Sequence, residues 1–186
     1  MINDPTDQLS RRLRAERETR GWTVAELAER SGVSRAMISK VERAEASPTA
    51  ALLGRLSGAF GLTLSTLLAR AEGSDGSRLL RARQQPLWQD PKTGYLRRTL
   101  SPATGGPLEL VRIELPAGGR VAYPAAAFAF LRQQIWVISG TLTFTEGEIE
   151  HWLEAGDCLE LGPPADCEFH NREGDPCIYL VALVRR

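Results

Sequence analysis

Nowhere in these 186 residues does an apolar run approach the roughly 18 residues that a membrane-crossing helix needs, so no membrane partner is expected. The opening residues Met1-Ile2-Asn3-Asp4-Pro5 have neither the basic stretch nor the apolar core of a secretory leader. Cysteine is scarce, odd in number and late in the chain, as Cys158, Cys167 and Cys177. That set does not make a disulfide framework and points to reduced thiols, hence to the cytoplasm. Histidine is scarcer still, His151 and His170 being the two. Net charge is lacking as well, since 23 basic residues meet 23 acidic ones. No solenoid-type repeat is visible.

What is present suits a folded protein: 42% hydrophobic and 25% charged residues argue against wholesale disorder. The charge balance conceals an asymmetry. The first 70 residues hold 11 basic and 8 acidic side chains, so the remainder is acidic by the same margin. A basic first third beside an acidic remainder fits a nucleic-acid module joined to something else.

Up to about Ala71 the pattern is helical. Leu9, Leu13 and Arg17 share one face of a first helix that stops at Gly21. Thr23 with Glu26 three residues on is a capping-box signature for a helix over 24–31, burying Val24, Leu27 and Ala28. Gly32 can take the left-handed stop. Ser34 caps a third helix to about Val41, with Met37, Ile38 and Val41 as its apolar stripe. Ser47-Pro48-Thr49 opens a fourth, carrying Leu52, Leu53 and Leu56, and Leu64, Leu67 and Leu68 supply a short fifth. Helices this short hold only when packed together. The run Glu72-Gly73-Ser74-Asp75-Gly76-Ser77 is a linker by composition. Beyond it the period shortens, with apolar runs at 108–115, 135–138, 141–145, 158–161 and 178–184 separated by Gly-rich turns, and lead-in strands between 84 and 101. Short, regularly spaced strands indicate a sandwich or barrel.

Helix, glycine turn and helix between Thr23 and Val41 suit a DNA-reading unit, whose second helix sets its N-terminal residues against base edges. Ser34, Arg35, Ala36, Ser39 and Lys40 are small, polar or basic there. Arg35 can fork onto guanine and Ala36 can touch a thymine methyl, while Thr23, Lys40 and Arg43 are placed for phosphates. A plain helical bundle with a polar surface fits the same spacing.

The order of residues goes further. Leu13-Arg14-Ala15-Glu16-Arg17, Gly21-Trp22-Thr23, Glu26-Leu27-Ala28, Ser31-Gly32-Val33-Ser34, Ile38-Ser39-Lys40-Val41-Glu42-Arg43 and Ser47-Pro48-Thr49 together resemble the Xre-type, phage-repressor-like family of transcriptional regulators. The resemblance covers about the first seventy residues. It departs at Val24, where the family has a phosphate-contacting glutamine, and this shifts the implied readout onto Arg35 and Ser39.

The later half resembles a cupin barrel. Ile135-Trp136-Val137-Ile138-Ser139-Gly140-Thr141-Leu142 is similar to its first motif, and Gly156-Asp157-Cys158, Gly162-Pro163-Pro164 and Asn171 to its second. Metal-binding cupins use two His and a Glu from the first motif and a His from the second. Here those positions hold Ala126, Phe128, Gln133 and Cys167. The resemblance therefore implies neither a metal nor another cofactor, and no enzyme. It leaves Tyr123, Gln133, Asp166 and Cys167 as a candidate effector pocket, set against a simply filled core. Asp166 and Glu168 beside Cys167 favour an inert thiol over a redox switch.

The expected architecture is thus two domains. An all-α five-helix helix-turn-helix (lambda-repressor-like) domain spans 1–71, a linker 72–82, and an all-β cupin (jelly-roll type) barrel 83–186. The expected partners are double-stranded DNA, a small-molecule effector and a second copy of the chain, because strands 135–138 and 179–184 are apolar on both faces. An antitoxin-like interaction protein and a cupin enzyme carrying a DNA-binding domain are the competing classes.

Overall fold

The computed structural model describes residues 5–72, 77–104 and 106–185. Its first part comprises α1 (Pro5–Thr19), α2 (Val24–Ser31), α3 (Arg35–Glu42), α4 (Ala50–Ala59) and α5 (Leu64–Glu72). Local caps set the boundaries. Thr23 Oγ1 accepts from Glu26 N at 3.2 Å while Glu26 Oε2 accepts from Thr23 N at 2.7 Å, which is the reciprocal capping box. Gly32 ends α2 at φ 66°, a left-handed conformation that glycine adopts without a Cβ clash. Ser34 Oγ then accepts from Met37 N at 3.2 Å to start α3, and Thr49 Oγ1 accepts from Leu52 N at 3.3 Å to start α4.

The apolar edges meet in one cluster that includes Leu13, Leu27, Ile38, Val41, Leu53 and Leu67. One sequence expectation is corrected here. Met37 does not belong to the buried stripe but is 37% exposed. An eight-residue helix packed on one side buries a narrow edge, and Ile38 and Val41 already define it. Met37 sits about 100° around the helix from Ile38 and falls outside.

Of the expected linker, residues 73–76 lie outside the described residues. Residues 77–81 form neither helix nor strand, and a 3-10 turn, Ala82–Gln84, follows. The rest of the chain is β-rich, with β1 (Leu87–Gln89), β2 (Leu96–Thr99), β3 (Leu108–Leu115), β4 (Arg120–Tyr123), β5 (Leu131–Ser139), β6 (Thr141–Glu146), β7 (Ile149–Glu154), β8 (Cys158–Glu160), β9 (Cys167–His170) and β10 (Cys177–Arg185). The described pairings are all antiparallel and form two sheets, ordered β1-β2-β3-β10-β5-β8 and β4-β9-β6-β7. Burial alternates strictly along β3 and β5, so Val111, Ile113, Ile135 and Val137 face the opposite sheet. The sheets meet where Phe169 of β9 stacks on Tyr179 of β10, ring centroids 5.8 Å apart. Asn171 is fully buried just after β9. Its Nδ2 donates to Leu115 O and Asp175 O, and its Oδ1 accepts from Glu173 N, so it closes a turn.

The β-rich part grips the helical part through α4 and α5. Asp90 Oδ1 accepts from Ala50 N at 3.3 Å at the start of α4. Glu109 of β3 accepts from Thr63 Oγ1 and Thr66 Oγ1, both at 2.7 Å, at the start of α5. Two carboxylates from one part thus meet the N-terminal ends of two helices of the other, where the helix dipole favours negative charge. Among the described residues, no helix is long and apolar enough to cross a membrane.

Candidate nucleic-acid interface and inter-sheet pocket

The exposed edge of α3 is held from behind by charge as well as by packing. Arg17 of α1 forks onto Glu42 at the end of α3, Nε to Oε1 at 2.7 Å and Nη2 to Oε2 at 2.8 Å, while its Nη1 donates to Trp22 O at 2.9 Å. The hydrogen bond to Glu42 holds the Arg17 guanidinium above its ordinary pKa, against the opposing pull of burial. A carboxylate at a helix C-terminus is disfavoured by the dipole, so Glu42 depends on this partner. The fork ties three points together: the end of α1, the turn before α2 and the end of α3.

On the far side, Ser34, Arg35, Ala36, Lys40 and Arg43 are exposed, Thr23 is exposed at the start of α2, and Ser39 is half-exposed. The seven residues therefore share the free surface of the α2–turn–α3 unit. Arg43 is engaged in a surface fork with Glu45, at 2.7 and 2.8 Å, which a phosphate would have to displace. Arg30 lies over the Trp22 ring at 4.4 Å beside this face. Met37 is the residue of this surface that sequence reasoning missed. Its apolar type beside Ile38 suggested core, and only the narrowness of the buried edge could have indicated otherwise.

The four pocket candidates do not converge on one cavity. Tyr123 and Gln133 line an inner recess of about 60 Å³ between the sheets and the helices, together with Gly54, Ser57, Arg97 and Tyr179. Gln133 also faces an outer cavity of about 390 Å³, where Cys167, Arg132, Glu146 and Glu160 stand. Asp166 is exposed and borders a shallow groove with Arg55 and Tyr123. Its Oδ1 accepts from Ala125 N at 2.8 Å and so fixes the turn after β4. Burial first, and then the Glu146 and Asp166 charges, push the Cys167 thiol up to about 12, and Sγ donates to Ala165 O at 3.2 Å. The second charge raising Cys167 is thus Glu146, across the sheet, rather than the neighbouring Glu168. Burial also holds the Tyr123 and Tyr179 phenols well above their ordinary range, so both are neutral donors.

At the positions where metal-binding cupins carry ligands, Ala126 lies in the 3-10 turn Ala125–Ala127 and Phe128 follows it. His151 faces Glu146 at 3.2 Å, and His170 faces Arg120 at 3.2 Å. Among the described residues no group of three or more His, Cys, Asp or Glu is arranged to hold a metal ion.

Comparison with known proteins assigns the helical part. Residues 13–67 match the helix-turn-helix family HTH_3. The HTH-type transcriptional regulator SutR of Escherichia coli (strain K12) is 38% identical over 69 residues, covering 37% of this chain and 39% of that protein. The match therefore spans well under half of that relative's length. Among solved structures, an HTH_3 family transcriptional regulator from Vibrio cholerae aligns over 97% of both chains with a TM-score of 0.80 and 20% identity, which shows a shared fold. A Cupin_2 domain of an XRE family transcriptional regulator from Enterobacter cloacae aligns over 50% of this chain and 97% of its own, at 15% identity and a TM-score of 0.46.

Proposed function

We propose that this chain, whose residues 13–67 carry an Xre-type helix-turn-helix domain, is a sequence-specific DNA-binding transcriptional regulator whose β-rich part is a cupin-type sensor and not an enzyme. The observation that carries the proposal is the two-sided build of α3. Ile38 and Val41 anchor one edge while Ser34, Arg35, Ala36 and Lys40 stand exposed on the other, uncovered by the sheets. Such an edge can enter the major groove, with Arg35 and Ser39 reading bases, and Thr23, Lys40 and Arg43 holding phosphates.

A homodimer belongs to this reading. Trp136 and Ile138 on β5 and Val184 on β10 point away from the core and are exposed, Trp136 by 48%. Leu180 pairs beside Trp136 in the same sheet. Two linked reading units gain affinity through effective concentration, and a two-fold dimer calls for a roughly palindromic site. Tyr123 and Gln133 in the inner recess support effector binding, as groups able to orient a small ligand in an apolar setting.

The test is selection of bound fragments from random duplex DNA, followed by footprinting and sedimentation of the free protein. A dyad-symmetric footprint and a dimeric mass are expected. A protein that ignores DNA even at low salt, where phosphate attraction is strongest, would overturn the regulator assignment.

A further inference from the structure

The inner recess has walls from both parts of the molecule. The β-rich part contributes Arg97, Ile113, Gln133 and Leu183, and α4 with the turn after it contributes Ser57 and Thr63. Its lining includes one cation, Arg97, and no carboxylate. Arg97 is 7% exposed and Gln133 is 8% exposed. The Gln133 Nε2 is buried with no hydrogen-bond partner among the described residues. Buried amide groups are normally satisfied, so an open donor facing a recess marks a place where a ligand acceptor belongs. A volume of about 60 Å³ would hold on the order of four to six waters, hence a solute of similar heavy-atom count.

Resting on the effector reading above and deepening it, we infer that this recess binds a short-chain monocarboxylate, its carboxylate between Arg97 and the Gln133 amide and its alkyl tail against Ile113 and Leu183. The donor set is specific in sign. A guanidinium and an amide N–H favour an anionic acceptor, and charge-assisted hydrogen bonds in a desolvated site are the strong kind. Neutral Tyr123 and Tyr179 phenols add donors without adding negative charge. An ammonium ligand would meet Arg97 with no carboxylate in the lining to hold it.

The way in also explains how occupancy reaches the DNA-reading part. Phe128, Leu131 and Gln133 line both the inner recess and the outer cavity, so they stand between the two. Phe128 follows the turn Ala125–Ala127, which packs under α4 so closely that a Cβ on Gly58 would lie 3.3 Å from Ala126 O. A ligand entering past Phe128 displaces a segment on which α4 rests, and α4 in turn packs on α2 through Leu53 and Leu27 in one cluster.

The experiment is isothermal titration of the full-length protein with sodium propionate, with propan-1-ol and propylammonium chloride as neutral and cationic probes of the same length. Saturable binding of propionate, and neither of the others, is expected. Gln133→Leu should weaken it about tenfold or more, through the loss of a hydrogen bond to a charged group. Gln133→Glu, which keeps the shape and reverses the preference, should abolish it, with circular dichroism confirming that each variant is folded. No saturable heat with propionate, equal binding of all three probes, or unchanged affinity in both folded variants would overturn the inference. DNA binding, measured separately, keeps the two proposals apart. A protein that binds DNA and ignores propionate loses the recess assignment alone, and one that binds propionate but no DNA loses the regulator assignment alone.

Discussion

The Tyr123 ring of β4 fills the space that a side chain would need at Gly54 of α4. A Cβ at Gly54 would lie 2.6 Å from Tyr123 Cδ1 and 2.9 Å from Cε1. The glycine therefore sets how near the helical part comes to the sheets. Four residues on, Gly58 performs the same task against the turn after β4. One face of a single helix thus carries both close approaches.

Gly54→Ala should destabilise the protein, although the helix itself would gain. Replacing glycine inside a helix is worth about 1 kcal/mol in propensity. Against that stands overpacking of about 1–3 kcal/mol, because the Tyr123 ring has nowhere to go. It is held edge-on by Phe128 and Phe169, each with its centroid 6.0 Å away. A net loss of about 1 kcal/mol is expected in denaturant melts, and Gly54→Ala combined with Tyr123→Leu should recover it. A stabilised single variant would show that the two parts can separate at no cost.

Arg17→Ala should cost roughly 3 kcal/mol, because the Glu42 carboxylate would be left nearly buried without its partner. Arg17→Lys should rescue only part, since an ammonium cannot reproduce the two-pronged contact. DNA affinity should fall with the fork while the exposed reading residues remain intact, because α3 loses the tie that orients it. Urea titration reads the first effect. Anisotropy with the selected duplex, at a temperature where the variant is folded, reads the second.

Much of the helical part could be read from the sequence because its punctuation is local. Thr23, Glu26, Gly32 and Ser34 act within three or four residues of themselves. β7 gave no such sign. Leu153 is its one buried residue, with Ile149 and Trp152 exposed, so period-2 alternation is absent. β9 spans only four residues, Cys167–His170. The grip between the two parts was equally silent. Asp90 reaches Ala50 and Glu109 reaches Thr63 across separations of 40 and 46 residues, and a carboxylate in a strand gives no hint of the helix end it will meet. The pocket was half legible. Counting along the motif found Tyr123 and Gln133, but Arg97 lies in β2, outside the motif from which positions were counted. Asp166 precedes β9 on its outward phase, alongside Glu168.

Arg35→Ala should weaken binding to the selected duplex by about 1–3 kcal/mol, the range for a bidentate base contact. Arg35 is exposed in the first turn of α3, so its loss should leave the melting curve almost unchanged. Comparing that duplex with random DNA decides the role. A loss confined to the selected sequence assigns Arg35 to a base, and an equal loss on both assigns it to phosphate.

The three thiols should separate cleanly by reactivity. Cys158 is exposed, whereas Cys167 and Cys177 are buried. Burial, with Glu146 and Asp166 adding to it, pushes Cys167 up to about 12, and burial alone pushes Cys177 up to about 11. Since the thiolate is the nucleophile, on the order of one Cys167 in ten thousand would be reactive near pH 8. Ellman's reagent should therefore modify Cys158 in the native protein and reach the other two only after unfolding. The same shifts fix a sign for stability. A folded-state value above the unfolded one means that the native state holds its proton longer, so this contribution is complete below the ordinary thiol range and declines as pH rises through it toward about 12. Denaturant midpoints should fall on the alkaline side, and Cys167→Ala, with one of the two thiols gone, should show a shallower fall. Rapid native modification of Cys167 would mean that the outer cavity admits reagents to its sulfur, and the thiol would then be part of a working surface rather than of the core.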